Sequence, residues 1–187
     1  VEKILRDRRP RARRRAVVAM ARMSQTIAAE PTREPLVGGD ERTTAMPLFQ
    51  KMNQHAMIWI RDMMTALRTE NEQQAMHAMR AGLQALRDRL SVEEAAQLSA
   101  QLPLVVRGMF FEGWDPSGKP LRIRHRGEFL ALVQQKYGPR QDRAAEDIIT
   151  ALFHVLARNV SPGELTDIML SLPAELCTLV APRMETP

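Results

Sequence analysis

One cysteine in 187 residues cannot close a disulfide within the chain. Cys177 also lacks a second thiol at zinc-ligand spacing, so neither a secreted disulfide scaffold nor a cysteine metal site is indicated, and a reducing cytoplasm is the expected setting. The four histidines, His55, His77, His125 and His154, show no His-x-x-x-His or Glu-x-x-His spacing, so no metal and no cofactor is expected. Ser117 has no base at motif spacing, and Cys177 sits in an apolar stretch without a cationic neighbour. Neither is a credible nucleophile, and no enzyme is expected. No apolar run approaches the roughly 18 to 20 residues that cross a bilayer, because Arg, Asp, Glu or Gln interrupts each one, so no membrane span is expected.

What the chain does have is an uneven charge. Lys and Arg number 27 against 22 Asp and Glu, a net charge of +5. Residues 1–46 hold 11 of the cations and 6 of the carboxylates, which leaves 16 of each beyond them, so the whole excess lies in this N-terminal stretch. Arg6, Arg8, Arg9, Arg11, Arg13, Arg14 and Arg15 form a dense run. The apolar stretch Ala16 to Ala21 that follows is too short for a secretory signal, which needs roughly 7 to 15 such residues. Glu30-Pro31 to Asp40 reads as linker from its proline, glycine and charge. Residues 1–46 are therefore expected to be a disordered or partly helical basic tail, dispensable for folding, with Met23 or Met46 an alternative start. Nucleic acid could be bound only through this tail, since the remainder carries no net field to attract a polyanion.

Beyond the tail the helical period dominates. Met52, Ala56, Trp59, Met63 and Leu67 recur at steps of three and four, with Lys51, Asp62 and Arg68 elsewhere on the cylinder. After a polar break at Thr69 to Glu72, Met76, Met79, Leu83, Leu86 and Leu90 repeat the pattern, which leaves Arg80, Arg87 and Asp88 outside. Ser91 with Glu94 predicts a capping box and a third helix. Pro103 ends that helix, and a short fourth runs from Leu104 to Phe111 and closes at Gly113. The six methionines between Met52 and Met79 sit at core spacing and are read as packing.

The pattern then starts over at one constant offset without a gap. Ser91 falls on Ser161, Glu94 on Glu164, Leu102 on Leu172 and Pro103 on Pro173, while Ala75, Ala81 and Leu86 meet Ala145, Ala151 and Leu156. A cap and a helix break that recur in register imply an internal duplication. The fold expected is all-α: a helical bundle of two pseudo-twofold repeats, residues 47–112 and 126–187, joined by a connection at 113–125 within a single domain at 47–187. Neither half can bury its apolar stripe alone, so the two should pack face to face. The expected core is Trp59, Met63, Met79, Leu83, Leu86, Leu98 and Leu102 against Phe129, Val133, Ile149, Phe153, Leu156, Ile168 and Leu172.

The connection has no counterpart in either repeat. Its Gly113-x-x-x-x-Gly118-Lys119 approaches phosphate-loop spacing, but Pro120 stands where a magnesium-binding hydroxyl is required, Asp115 and Pro116 bring a negative charge and a ring where free amide donors are needed, and no strand precedes it. A rigid turn fits better. Lys119, Arg122, Arg124, His125 and Arg126 then form a basic cluster, with Leu121 and Ile123 alternating inward. Glu112, Asp115 and Glu128 are the nearby carboxylates that could neutralise it.

The residues from Gly113 to Arg126, with Leu86-Arg87-Asp88-Arg89-Leu90, Ala100-Gln101-Leu102-Pro103 and Val160-Ser161-Pro162-Gly163-Glu164, resemble a bacterial family catalogued as domain of unknown function two-two-six-seven. The resemblance covers about residues 48–180 and implies an all-helical duplicated domain. It transfers no activity, ligand or catalytic residue. The expected role is a module that binds another protein or itself through Trp114, Lys119, Arg122, Arg124 and Arg126. The alternatives are nucleic-acid binding by the tail and small-molecule or lipid sensing between the repeats.

Overall fold

The computed structural model describes residues 18, 47–139 and 142–180. The readings made above for the basic tail fall outside the described residues. From Pro47 onward the described residues form eight helices: α1 Pro47–Leu67, α2 Glu72–Arg89, α3 Val92–Gln101, α4 Leu104–Phe111, α5 Arg126–Tyr137, α6 Ala145–Asn159, α7 Pro162–Ser171 and α8 Ala174–Val180. No strand occurs among the described residues. None of these helices is long and apolar enough to cross a membrane.

The helix ends follow local chemistry. Asn71 caps α2 by accepting the Gln74 amide at 3.0 Å. At α3 the predicted capping box is complete: the Ser91 hydroxyl accepts the Glu94 amide at 3.1 Å, and the Glu94 carboxylate accepts the Ser91 amide at 2.8 Å. At α7 only half of it forms. Ser161 accepts the Glu164 amide at 3.3 Å, but the Ser161 amide donates to Gln101 Oε1 at 2.7 Å. The α3 terminus has displaced the local carboxylate and ties the two helices together.

Helix bounds recur at the offset that carries Ser91 onto Ser161. α3 at Val92–Gln101 answers to α7 at Pro162–Ser171 at both ends. α1 and α5 end at Leu67 and Tyr137, and α2 and α6 end at Arg89 and Asn159. The packing crosses over between the halves, with α1 against α6 and α2 against α5, while α2 and α6 meet each other at the centre. There Gly82 lies under Leu152, its own counterpart at that offset. A β-carbon at Gly82 would stand 3.0 Å from Leu152 Cδ2, so the small residue on one helix makes room for the large one on the other.

All fourteen expected core residues are buried, none more than 4% exposed, and they join a single contiguous core. The core goes further than the apolar stripe. Residues 81–88 of α2 are buried on every side, because α1, α4, α5 and α6 surround it. Two expectations fail here. Arg87 and Asp88 do not lie outside but are 2% and 4% exposed, and Asp62 is 7% exposed. A helix at the centre of a bundle has no outer face, so its polar residues stay only where partners neutralise them.

Candidate functional site

The connection begins where α4 stops. Gly113 and Gly118 take φ of +60° and +70°, a region that a side chain disfavours. Between them Asp115 closes the turn on itself: Oδ1 accepts the Ser117 amide at 2.8 Å and Oδ2 the Ser117 hydroxyl at 2.7 Å. Those bonds hold the Asp115 carboxyl below its ordinary value, hydroxyl first and amide second. The amide that a phosphate cradle would present is thus occupied, and α4 rather than a strand leads into the turn. Lys119 and Pro120 are joined by a cis peptide bond.

Lys119, the would-be phosphate ligand, turns inward to Asp88, with Nζ 3.6 Å from Oδ1. Asp88 is the hub of this corner. Lys136 Nζ lies 2.8 Å from its Oδ2, and Arg87 donates to Oδ1 from Nε at 2.9 Å and Nη2 at 2.8 Å. The Asp88 carbonyl also accepts the Leu121 amide at 2.8 Å, which ties the connection to α2 by main chain as well as side chain. Burial alone would push the Asp88 carboxyl up, but hydrogen bonds from Lys136 and Arg87 and their charges outweigh it, and the group sits below the ordinary carboxylate value.

Three cations on one buried carboxylate need further compensation, and helix ends supply it. Arg87 and Lys136 lie in the last turns of α2 and α5. Arg87 Nη1 also donates to the carbonyls of Phe110 and Glu112 at the end of α4. Each helix C-terminus carries about half a negative charge, so three of them with Asp88 nearly balance the three cations. The cluster is a structural clasp, closed in charge.

The remaining basic residues divide. Arg126 Nη2 pairs with Glu146 at 2.6 Å, and its amide donates to Glu175 at 3.1 Å. His125 Nδ1 lies 3.4 Å from Glu175. The carboxylates expected to neutralise the cluster are engaged elsewhere: Glu112 pairs with Arg80 at 2.6 Å, Asp115 binds Ser117, and Glu128 accepts the Arg124 and His125 amides at 3.2 and 3.4 Å. Arg122 and Arg124 alternate outward as expected, exposed while Leu121 and Ile123 are half-buried. Neither guanidinium has a carboxylate within ion-pair reach among the described residues. Arg89 supports them from beneath, donating from Nε to the Ile123 carbonyl at 2.9 Å.

Trp114 is half-buried against Phe111, with ring centroids 5.0 Å apart, and its indole Nε1 is buried with no acceptor among the described residues. Its ring packs on the core, so it braces the connection rather than facing solvent. The structure therefore brings Arg122 and Arg124 to the surface, draws Lys119 into the clasp, pairs Arg126 with α6, and turns Trp114 inward. Asp88 and Lys136 were missed by reasoning from the sequence. The available signal was Arg87-Asp88 between Leu86 and Leu90, a charged pair in the most enclosed helix.

Among the grooves on the surface of the described residues are two that lie away from the α2–α6 contact. One of about 570 Å³ is lined by Arg61, Met64, Thr65, Arg68, Thr69 and Glu70. The other, of about 430 Å³, is lined by Gln134, Gly138, Pro139, Arg143 and Ala144. Where α2 and α6 cross, a β-carbon on Gly82 would stand 3.0 Å from Leu152 Cδ2 and 3.5 Å from Ile148 Cγ2. No group of three or more His, Cys, Asp or Glu among the described residues could hold a metal ion.

No curated protein matches the chain. Two of the sequence motifs that carried the resemblance meet in space, Asp88 holding Lys119 and the Leu121 amide and Arg89 the Ile123 carbonyl. The chain belongs to the family described as Uncharacterized conserved protein (DUF2267), which matches residues 56–179.

Proposed function

We propose that this is a non-enzymatic interaction domain, built by duplication of a four-helix unit, whose connection presents Arg122 and Arg124 to an acidic protein surface. The observation that carries the reading is the division of the basic cluster. Lys119 is consumed by Asp88, and Arg126 and His125 by Glu146 and Glu175, while the two exposed guanidiniums stand on a clasped and therefore rigid segment. A fastened backbone lowers the cost of ordering the segment, and a guanidinium offers bidentate geometry to carboxylates. The duplication is supported by helix bounds that recur at one offset and by the crossed packing of α1 on α6 and α2 on α5. A buried Cys177 suits a reducing cytoplasm.

A ligand pocket between the halves is disfavoured where α2 and α6 cross, because a β-carbon at Gly82 would already stand 3.0 Å from Leu152 Cδ2. The basic tail, with 11 cations against 6 carboxylates, supports nucleic-acid binding as a second reading. That reading requires affinity that falls steeply with salt and vanishes on removal of residues 1–46.

The test uses the full chain with Arg122→Glu and Arg124→Glu combined, titrated with poly-glutamate as the acidic probe, with binding read at the amide resonances of residues 121–125 because the basic tail attracts a polyanion by itself. Loss of binding at an unchanged melting temperature supports the reading. Equal binding by the variant and the wild type overturns it.

A further inference from the structure

The acidic surface that suits Arg122 and Arg124 lies on this chain, beside them. Arg89 marks the join. Its Nε holds the Ile123 carbonyl, between the two exposed arginines, and it lies two positions before Ser91, whose amide is bound by Glu94. Burial pulls the Arg89 guanidinium below its ordinary value, the charge of Glu94 opposes that shift, and the charge of Arg124 adds to it. Both charges thus reach Arg89.

From Glu94 the negative charge continues across the crossing of α3 and α7. Gln101 reaches Glu164 at 3.5 Å and Ser161 at 3.1 Å, which sets the first turn of α7 against the end of α3. Glu93 is exposed in the first turn of α3, and Asp167 is exposed one turn along α7. The Glu164 carboxyl is raised by burial first, then by the charges of Asp167 and Glu94. Helix N-termini favour Glu93, Glu94 and Glu164 individually. They do not relieve the crowding of the carboxylates on one another.

Positive charge at residues 122–124 therefore adjoins, across Arg89, negative charge in the first turn of α3. A twofold axis through the join would lay each sign on its opposite, the defining property of an isologous contact. Resting on the interaction reading above, we propose that this face is self-complementary and that its partner is a second copy of this chain, Arg122 and Arg124 of one copy meeting Glu93 of the other.

Sedimentation velocity on the full chain over a range of concentration and salt tests it. A dimer is expected at low salt that weakens as salt rises. Arg124→Glu and Glu93→Arg should each weaken the dimer at least tenfold without shifting the melting temperature. The double variant carrying both should restore it, since the pair is re-formed with signs exchanged, and so should mixing the two single variants. A wild type that remains monomeric at millimolar concentration overturns the proposal, as does a double variant no better than the singles. An Arg124→Glu variant that dimerises normally would overturn it too. If the chain is monomeric yet Arg122→Glu with Arg124→Glu abolishes poly-glutamate binding, self-pairing fails and the interaction reading stands.

Discussion

Asp88 and Arg158 occupy matching positions on the two central helices, and the corners they govern are built with opposite signs. On α2 the buried group is a carboxylate, ringed by Arg87, Lys119 and Lys136 at 2.8 to 3.6 Å. On α6 the corresponding residue is a cation, 29% exposed, whose partner across the helix pair is Asp62 at 3.8 Å. Asn159 Nδ2 completes that second corner with a 2.9 Å bond to Asp62. The same crossing of helices is thus pinned by a closed clasp on one side and by a looser, partly wet pair on the other. The difference follows from the connection. Only the α2 corner must fasten the segment between α4 and α5, and it does so with the Asp88 side chain and main chain together. Geometry that recurs need not carry chemistry that recurs.

The largest effect is expected from breaking the clasp. Asp88→Ala strands three cations in a buried corner and should cost about 3 to 5 kcal/mol, whereas Asp62→Ala, whose partners reach solvent or the Val155 carbonyl, should cost about 1 to 3 kcal/mol. Urea unfolding of both variants checks the comparison, and equal losses would erase the distinction between the corners. Leu86→Ala and Leu156→Ala remove side chains that are both 0% exposed and should each cost about 2 to 5 kcal/mol. A loss below about 1 kcal/mol at either would contradict its place in the core.

A smaller effect concerns acid. The folded Asp88 carboxyl lies below the ordinary value, so as pH falls the unfolded chain takes up this proton first, near about pH 3.9. The stabilisation is complete above that value and is lost as pH drops through the folded pKa. Against the wild type, Asp88→Asn should show a flatter loss of unfolding free energy below about pH 4. The smallest change in stability belongs to Arg122→Glu with Arg124→Glu, within about 0.5 kcal/mol because both side chains are exposed. A larger loss in thermal unfolding would make these arginines part of the clasp rather than of a docking face.

The helices, their caps and the buried apolar positions were legible in the sequence because each depends on neighbours a few positions away. Period, Ser91 with Glu94, and Pro103 are local instructions, and the core they predict from Trp59 to Leu172 is buried as expected. The site was legible only in its outer half. Alternation placed Arg122 and Arg124 outside and Leu121 and Ile123 inside, since an extended segment sends successive side chains to opposite sides. Lys119 could not be removed from the basic cluster by inspection, because its partner Asp88 lies three helices back in the chain, on a helix that periodicity alone treats as having an outer face.

What the sequence by itself determined is the set of helices, their ends and the register in which they recur, all products of short-range backbone chemistry and hydrophobic spacing. Only the tertiary structure decided which charges are buried and which stay exposed. That depends on the enclosure of α2 by α1, α4, α5 and α6, and on three helix C-termini converging where Asp88 gathers its cations. Whether a charge is neutralised is a matter of distance in space, which no local pattern encodes.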